Sequence, residues 1–297
     1  MNKEIKTVAV HNGMFHADDV FAIAISRLIY PNIKVIRTRD HKELEKTDLR
    51  VDVGKKYNPD NGDFDHHQPK GAGGRENGIP YASVGLIWKH FGMKLAKSSE
   101  VFDYIDKKII QYIDANDTGT DTFTTNLIAP YTIDRMISSF NPQWPNLSYN
   151  NYDRAFEEIL LLVIELLKKE IVSVESVINS KEKVREAISK SDGNYIILND
   201  NISWKEVVVN ESHLKFVVYY DLVEDTWSVN CIPKSINSFE NRKNLPKEWA
   251  GLSREQLVKV TGVKDATFCH NKRFVAFAKS KEGVLKLLNL ALKNKYD

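Results

Sequence analysis

The feature that most restricts the fold is a stretch with no helix breakers. From residue 152 to about 190 the sequence reads as almost continuous helix and contains neither proline nor glycine. Those two residues are the strongest interruptions of helix, so the run predicts a single helix of roughly 55 Å at about 1.5 Å per residue. Helices of that length usually connect lobes or form an edge. Ser191-Asp192-Gly193-Asn194 then ends the pattern. The 297 residues thus divide into a first lobe at 1–150, a helical connector at 151–192 and a second lobe at 193–297.

Before the long helix, strands and helices alternate. Val8-Ala9-Val10 reads as a short buried strand ending at His11. Residues 17–30 have helical spacing, with Val20, Ile23, Ala24 and Leu28 on one face and Pro31 and Asn32 as the stop. Strands are expected at 34–37 and 49–53, and helices at about 82–91 and 100–115. This alternation predicts an α/β class with a parallel sheet. After the long helix, strand-like runs at 195–198, 207–209, 215–220 and 227–231 and a helix at about 281–294 predict a smaller α+β lobe.

Composition narrows the function. A net charge of +2 creates no global field, so an anionic substrate must be held by a local basic patch. Two cysteines, Cys231 and Cys269, can build neither a disulfide framework nor a four-thiolate zinc site. The N-terminus MNKEIKTVAV lacks the apolar core of a signal peptide. The greasiest stretch, 159–167, is short and holds Glu165, so no membrane span is expected. A cytoplasmic protein is the expectation.

Four clusters carry chemistry. His11-Asn12-Gly13-Met14-Phe15-His16-Ala17-Asp18-Asp19 lies where a buried strand gives way to a helix, and ligands of open α/β sheets bind at carboxyl ends of strands. Val51-Asp52-Val53-Gly54 ends an apolar strand on a lone carboxylate. Asp63-Phe64-Asp65-His66-His67 and Ile113-Asp114-Ala115-Asn116-Asp117-Thr118-Gly119 complete the set. A lone Asp is more often a turn or cap residue, and vicinal histidines are common on surfaces. Four such clusters in order at strand and helix ends fit a metal site better. Buried unpaired carboxylates and imidazoles are costly, and a divalent cation neutralises them. Mixed nitrogen and oxygen donors suit manganese, iron or zinc better than calcium.

The strings HNGMFHADDVFA, VDVG with FDHHQ, YASVGLIWKHFG, IDANDTG and FENRKNLPKEWAGL resemble the Myg family, named from melanocyte-proliferating gene, within the DHH phosphoesterases. The likeness runs from residue 11 to about residue 285. It implies a DHH-type parallel-sheet catalytic lobe, a long connecting helix and a smaller C-terminal lobe across a cleft. It also implies two divalent ions, manganese first, with magnesium, iron or zinc as alternatives, that activate a water for attack on phosphorus. By position, His11 and His16 would hold one ion, Asp18 the other, Asp52 would bridge them, and His66 would be a further ligand. The remaining ligand is Asp117 or Asp114, one helical turn apart. His67 would face the substrate phosphate and Asp65 would orient the histidines. The implied activity is a 3′-to-5′ exonuclease on RNA or short oligonucleotides. Two departures from relatives bear on substrate handling: Ser139 stands where relatives carry Arg, and 268–277 lacks their glycines.

For the substrate, Arg75 follows a glycine-rich loop, Gly71-Ala72-Gly73-Gly74, expected to be mobile and able to wrap a phosphate. Arg242, His270 and Arg273, with Lys243, Arg254 and Lys272, are candidates for gripping a nucleic-acid backbone, and Trp204, Trp227 and Trp249 for stacking. Ser83 is read as a helix cap. The rival readings are a small-molecule phosphatase acting on pyrophosphate or a dinucleotide, and a metal-stabilised RNA-binding protein without turnover. A homodimer is left open.

Overall fold

The computed structural model describes residues 4–124, 127–191 and 193–294, so Asp192 of the predicted break lies outside the described residues. The chain forms two compact units, residues 1–174 and 175–297. The division falls inside the long helix, which runs Tyr149–Ser189.

The first unit is built on five strands, β1 (Thr7–Val10), β2 (Lys34–Arg37), β3 (Leu49–Val51), β4 (Tyr57–Asn58) and β5 (Asp63–Phe64), in the order β2-β1-β3-β5-β4. Four of them run parallel and β4 pairs antiparallel at the edge. Its helices are α1 (Ala17–Ile29), α2 (His41–Leu44), α3 (Ser83–Phe91), α4 (Met93–Ala96), α5 (Ser99–Ile105), α6 (Gln111–Asp117), α7 (Ile133–Ser138) and the start of α8, the long helix. A π turn at Asp106–Ile110 joins α5 to α6. Val8, Ala9 and Val10 of β1 are fully buried, as are Val20, Phe21 and Ile23 of α1 and Phe156, Ile159 and Leu160 of α8. A strand buried on both faces reads as an unbroken apolar run, which is why β1 was visible without alternation.

The second unit contains β6 (Tyr195–Leu198), α9 (Lys205–Glu211), β7 (Phe216–Asp221), β8 (Thr226–Cys231), α10 (Arg254–Thr261), β9 (Ala266–Cys269), β10 (Val275–Ala278) and α11 (Lys281–Lys293). Its sheet runs β6-β7-β8-β10-β9, with only the β6–β7 pair parallel. The molecule is thus mixed α/β with two sheets that contain parallel pairs.

Residues 207–209 correct the expectation of a strand. Val207 and Val208 are adjacent and both buried, against Val184, Ile196, Leu198 and Val217. Glu206 and Glu211 of the same helix pair with Lys181 and Arg185 of α8. Packing and ion pairs override the strand propensity of three valines. The β9–β10 hairpin was not read from sequence because its turn lacks glycine; Arg273 takes the left-handed conformation there, φ 58°. Among the described residues no helix is long and apolar enough to cross a membrane.

Candidate metal centre

Strand register aligns the site before any side chain is considered. β1 and β3 pair Val8 with Leu49 and Ala9 with Arg50, which carries His11 alongside Asp52. β3 and β5 pair Val51 with Phe64, which sets Asp52 beside Asp65. Thr38 continues the row, its N–H donating to Val10 O at 2.8 Å. Thr38, His11, Asp52 and Asp65 therefore line the carboxyl edge of the parallel sheet, where ligands of such sheets bind.

Asp52 sits at the centre of this row. Its backbone is left-handed, φ 53°, and Gly54 and Lys55 follow at 99° and 55°. That conformation ends β3 at Val51, earlier than expected. For a residue with a Cβ it costs about 1–3 kcal/mol and persists where surrounding structure imposes it, often at functional sites. The carboxylate is buried and its two oxygens face different partners. Oδ2 lies 3.2 Å from His11 Nε2. Oδ1 accepts from Ser83 Oγ at 3.2 Å and lies 3.3 Å from His67 Nδ1 and 3.7 Å from His66 Nδ1. Burial opposes its ionisation, but the hydrogen bonds from His11 and His67 hold it well below the usual carboxylate range.

On the Oδ2 side stand His11, His16 and Asp19, whose ligand atoms lie within 4.8 Å of one another. Asp19 Oδ1 accepts from the backbone N–H of His16 at 2.8 Å and of Val20 at 2.9 Å. An acid in the first turn that reaches back to the residue before the helix fixes the start of α1. Asp19 Oδ2 is buried without a hydrogen bond, 3.3 Å from His11 Nε2. Burial pushes Asp19 up to about 7, against the pull of His11. Two more contacts hold the loop: Asn141 exchanges hydrogen bonds with Phe15 N and O, at 3.0 and 2.9 Å, and Arg37 donates to Gly13 O at 2.7 Å.

On the Oδ1 side stand Asp18, His66 and Asp117, again within 4.8 Å of one another. Asp18 is fully buried and accepts from Ser83 N at 3.2 Å and Val84 N at 2.6 Å. It thus caps the N-terminus of α3, whose first amides have no partner within the helix. Burial, then the nearby charges of Asp52 and Asp117, raise it well above the usual carboxylate range. His66 Nδ1 lies 3.1 Å from Ser83 Oγ, and its Nε2 faces Asp117 Oδ2 at 3.0 Å. With Ser83 O–H donating to Asp52, its lone pairs accept from His66 Nδ1–H. That leaves the His66 Nε2 lone pair aimed at Asp117 and available to a cation.

Asp65 Oδ1 accepts from His67 N and lies 2.9 Å from His67 Nδ1, while Oδ2 accepts from Lys55 N at 2.6 Å. His67 is half-exposed, and the hydrogen bond to Asp52 is the first cause that lifts it to about 9. A cavity of about 810 Å³ opens on the centre; His11, His16, Asp52, Asp65, His67 and Asp117 line it.

The donors fit a divalent cation. Burial pushes Asp18 and Asp19 toward their protonated forms, a cost that a bound cation removes, one buried oxygen is unpartnered, and the donors are the nitrogen and oxygen types that such ions take.

Two residues proposed from sequence lie elsewhere in this unit. Asp114 accepts from Arg75 at 2.6 Å and, through Oδ1, from Ala82 N and Gly85 N, both at 3.0 Å. It is a second cap on α3 and belongs to neither donor group described above. Gly85 permits this approach, since a Cβ there would stand 2.0 Å from Asp114 Oδ2. Arg75 also binds Asp106 and covers the ring of Tyr81. Its loop is pinned by Arg75 N to Ile79 O and Tyr81 N to Gly73 O. Its charge is neutralised internally, unlike that of a free phosphate contact.

In the second unit Arg242 donates to Leu214 O and Val209 O, at 2.9 and 2.7 Å. Arg273 donates to Leu245 O at 3.1 Å, and His270 Nδ1 accepts from Lys272 N at 3.1 Å. Lys243 donates to Asn294 O, and Trp249 is buried in the core. Arg254 and Lys272 are exposed.

Sequence reasoning missed Ser83 as a link between Asp52 and His66, Asp19 as a donor, and Arg39, His41, Lys55 and Asp134 as cavity-lining residues. Arg39 lies two residues beyond β2, and its place at the cavity follows from the pairing of β2 with β1.

Fold and centre together define an α/β protein with a buried His/Asp cluster of the kind that holds divalent cations. The chain belongs to the MYG1 exonuclease family, described as an uncharacterised protein family (UPF0160), which it matches over residues 7–292. It is 30% identical over 322 residues to a MYG1 exonuclease of Rattus norvegicus, covering 96% of this chain and 84% of the relative. The Mus musculus MYG1 exonuclease gives the same identity and coverage. A MYG1 protein of Saccharomyces cerevisiae is 29% identical, covering 98% and 97%. Superposition on RecJ of Thermus thermophilus gives a TM-score of 0.25 at 11% identity over 97% of this chain and 50% of that one, too low to bear on the fold.

Proposed function

We propose that this chain is a metal-dependent phosphodiesterase of DHH type that acts as a 3′-to-5′ exonuclease on RNA or short oligonucleotides. One observation carries the reading: Asp52 stands between two donor groups with one oxygen toward each. The naming of mammalian relatives as exonucleases supports the same class.

His11 and His16 with Asp52 Oδ2 would hold one divalent ion, and Asp18, His66 and Asp117 with Asp52 Oδ1 the other. Two such ions, manganese first, supply Lewis acidity toward phosphate oxygens and acidify the attacking water. The protein's own groups do the rest. Asp18 is locked by two amides of α3, so its direction is fixed before any ligand arrives. Ser83 fixes the tautomer of His66. Asp65 holds His67 by Nδ1, which leaves Nε2 for the cavity. A cationic His67 can donate to a phosphate oxygen or protonate the leaving oxygen.

The cavity volume favours a short substrate, because about 810 Å³ lies within the size range of small-molecule sites. The comparison that separates an exonuclease from a small-molecule phosphatase is turnover of pyrophosphate, a dinucleotide and a longer RNA, each with manganese. Asp52→Ala, and His66→Ala combined with His67→Ala, should lower the rate on the preferred substrate by about 1,000-fold or more, equivalent to ~4 kcal/mol, while the far-UV spectrum is retained. Wild-type activity in either variant rejects this site.

A further inference from the structure

One wall of the cavity is basic. Arg39, His41 and Lys55 line it together with the donor groups, and all three are exposed. Among the described residues none of their side chains has an ion pair or a hydrogen bond, whereas Arg27, Arg37, Arg50 and Arg75 of the same unit are each paired with a carboxylate. Arg39 lies two residues beyond β2, at the carboxyl edge beside His11 and Asn12. Lys55 is held in place by its left-handed backbone and by its N–H to Asp65 Oδ2 at 2.6 Å. An arginine and a lysine left unpaired on the wall of an otherwise acidic cavity, with an imidazole beside them, are placed for an anion that arrives from outside, and the planar fork of Arg takes a phosphate with two hydrogen bonds.

We propose that Arg39, with Lys55 and His41, forms a second phosphate subsite that grips the phosphodiester adjacent to the one being cleaved. The inference rests on the phosphodiesterase reading and deepens it. The preferred substrate then carries at least two phosphates in one chain, an oligonucleotide instead of a simple phosphate ester.

The test uses a labelled pentaribonucleotide and versions of it in which each linkage in turn is a neutral methylphosphonate. Binding is read by fluorescence anisotropy with calcium in place of manganese, for the wild type, Arg39→Ala, Arg39→Lys and Lys55→Met. In the wild type, beside the penalty at the scissile linkage itself, a neutral linkage at the adjacent position should weaken binding about tenfold, or ~1.4 kcal/mol. Arg39→Ala should weaken the all-phosphate ligand by a similar factor and erase the penalty of that neutral position, and Arg39→Lys should keep part of it. Tolerance of the neutral adjacent linkage in the wild type overturns the subsite, as does a penalty at that linkage undiminished in a folded Arg39→Ala. Turnover in manganese is measured separately. Its absence rejects the phosphodiesterase reading, while the binding series still decides the subsite.

Discussion

In the first unit, Asp18, Asp19 and Asp52 are buried and keep oxygens within 3.2–3.8 Å of the imidazoles of His11 and His66. In the second, Arg242 and Arg273 donate their guanidinium N–H groups to backbone carbonyls of their own unit. Buried carboxylates that lack full compensation raise the energy of the folded chain unless a cation joins them. An arginine bonded to carbonyls stabilises a loop and has little left to offer a ligand. Proximity of charged residues therefore distinguishes the two regions less than what already satisfies each group.

Three perturbations probe that contrast. The greatest change is expected at Ser83, which touches Asp52 and His66 without being a donor in either group. Ser83→Ala should weaken manganese binding by about 10–100-fold, as loss of a partner that orients a ligand does elsewhere. A calorimetric titration with unchanged affinity would remove Ser83 from the network. Next is Arg242→Ala, which leaves the carbonyls of Val209 and Leu214 without their charged donor. Chemical denaturation should show a loss of about 1.5 kcal/mol, with manganese affinity held. A shift in manganese affinity instead would erase the distinction between the units.

The most modest change is expected in the pH dependence of stability. Burial lifts Asp19 to about 7 and Asp18 above the usual range, and the Asp52 hydrogen bond lifts His67 to about 9. A group with a raised folded pKa lends stability below its unfolded value and loses it as pH climbs through the folded value. Asp52 is depressed, so its contribution is complete by about pH 5 and constant above it. The metal-free protein should thus melt at progressively lower temperature from about pH 5 to about pH 9. Saturating manganese should flatten or reverse the trend, because ligands must shed protons to bind it. A metal-free melting temperature that rises across this interval contradicts the burial argument.

The sequence was most legible where chemistry and periodicity coincide. The apolar run of β1, the helix of 17–30 and the breaker-free span of α8 each announce themselves, and α8 runs Tyr149–Ser189. The clusters around His11, Asp52 and His66 stand out because imidazoles and carboxylates recur at strand ends. Three things were not legible. The choice between Asp117 and Asp114 depends on which face of α6 meets α3, and only the fold shows Asp114 capping α3 beside Gly85. The fate of Arg75 depends on Asp106, thirty-one residues away and carried on a π turn. The basic wall depends on strand order, since Arg39 reaches the centre only because β2 neighbours β1. Each is a tertiary fact, and spacing along the chain carries no record of it.

The proposed metal chemistry turns on Asp52 standing between two cation positions. Anomalous diffraction from a crystal equilibrated with manganese reads this out without an activity assay. Two peaks should flank Asp52, one toward His11 and His16 and one toward Asp18, His66 and Asp117, about 3.5–4 Å apart. No peak at Asp52, or peaks confined to the second unit, would overturn the two-cation centre.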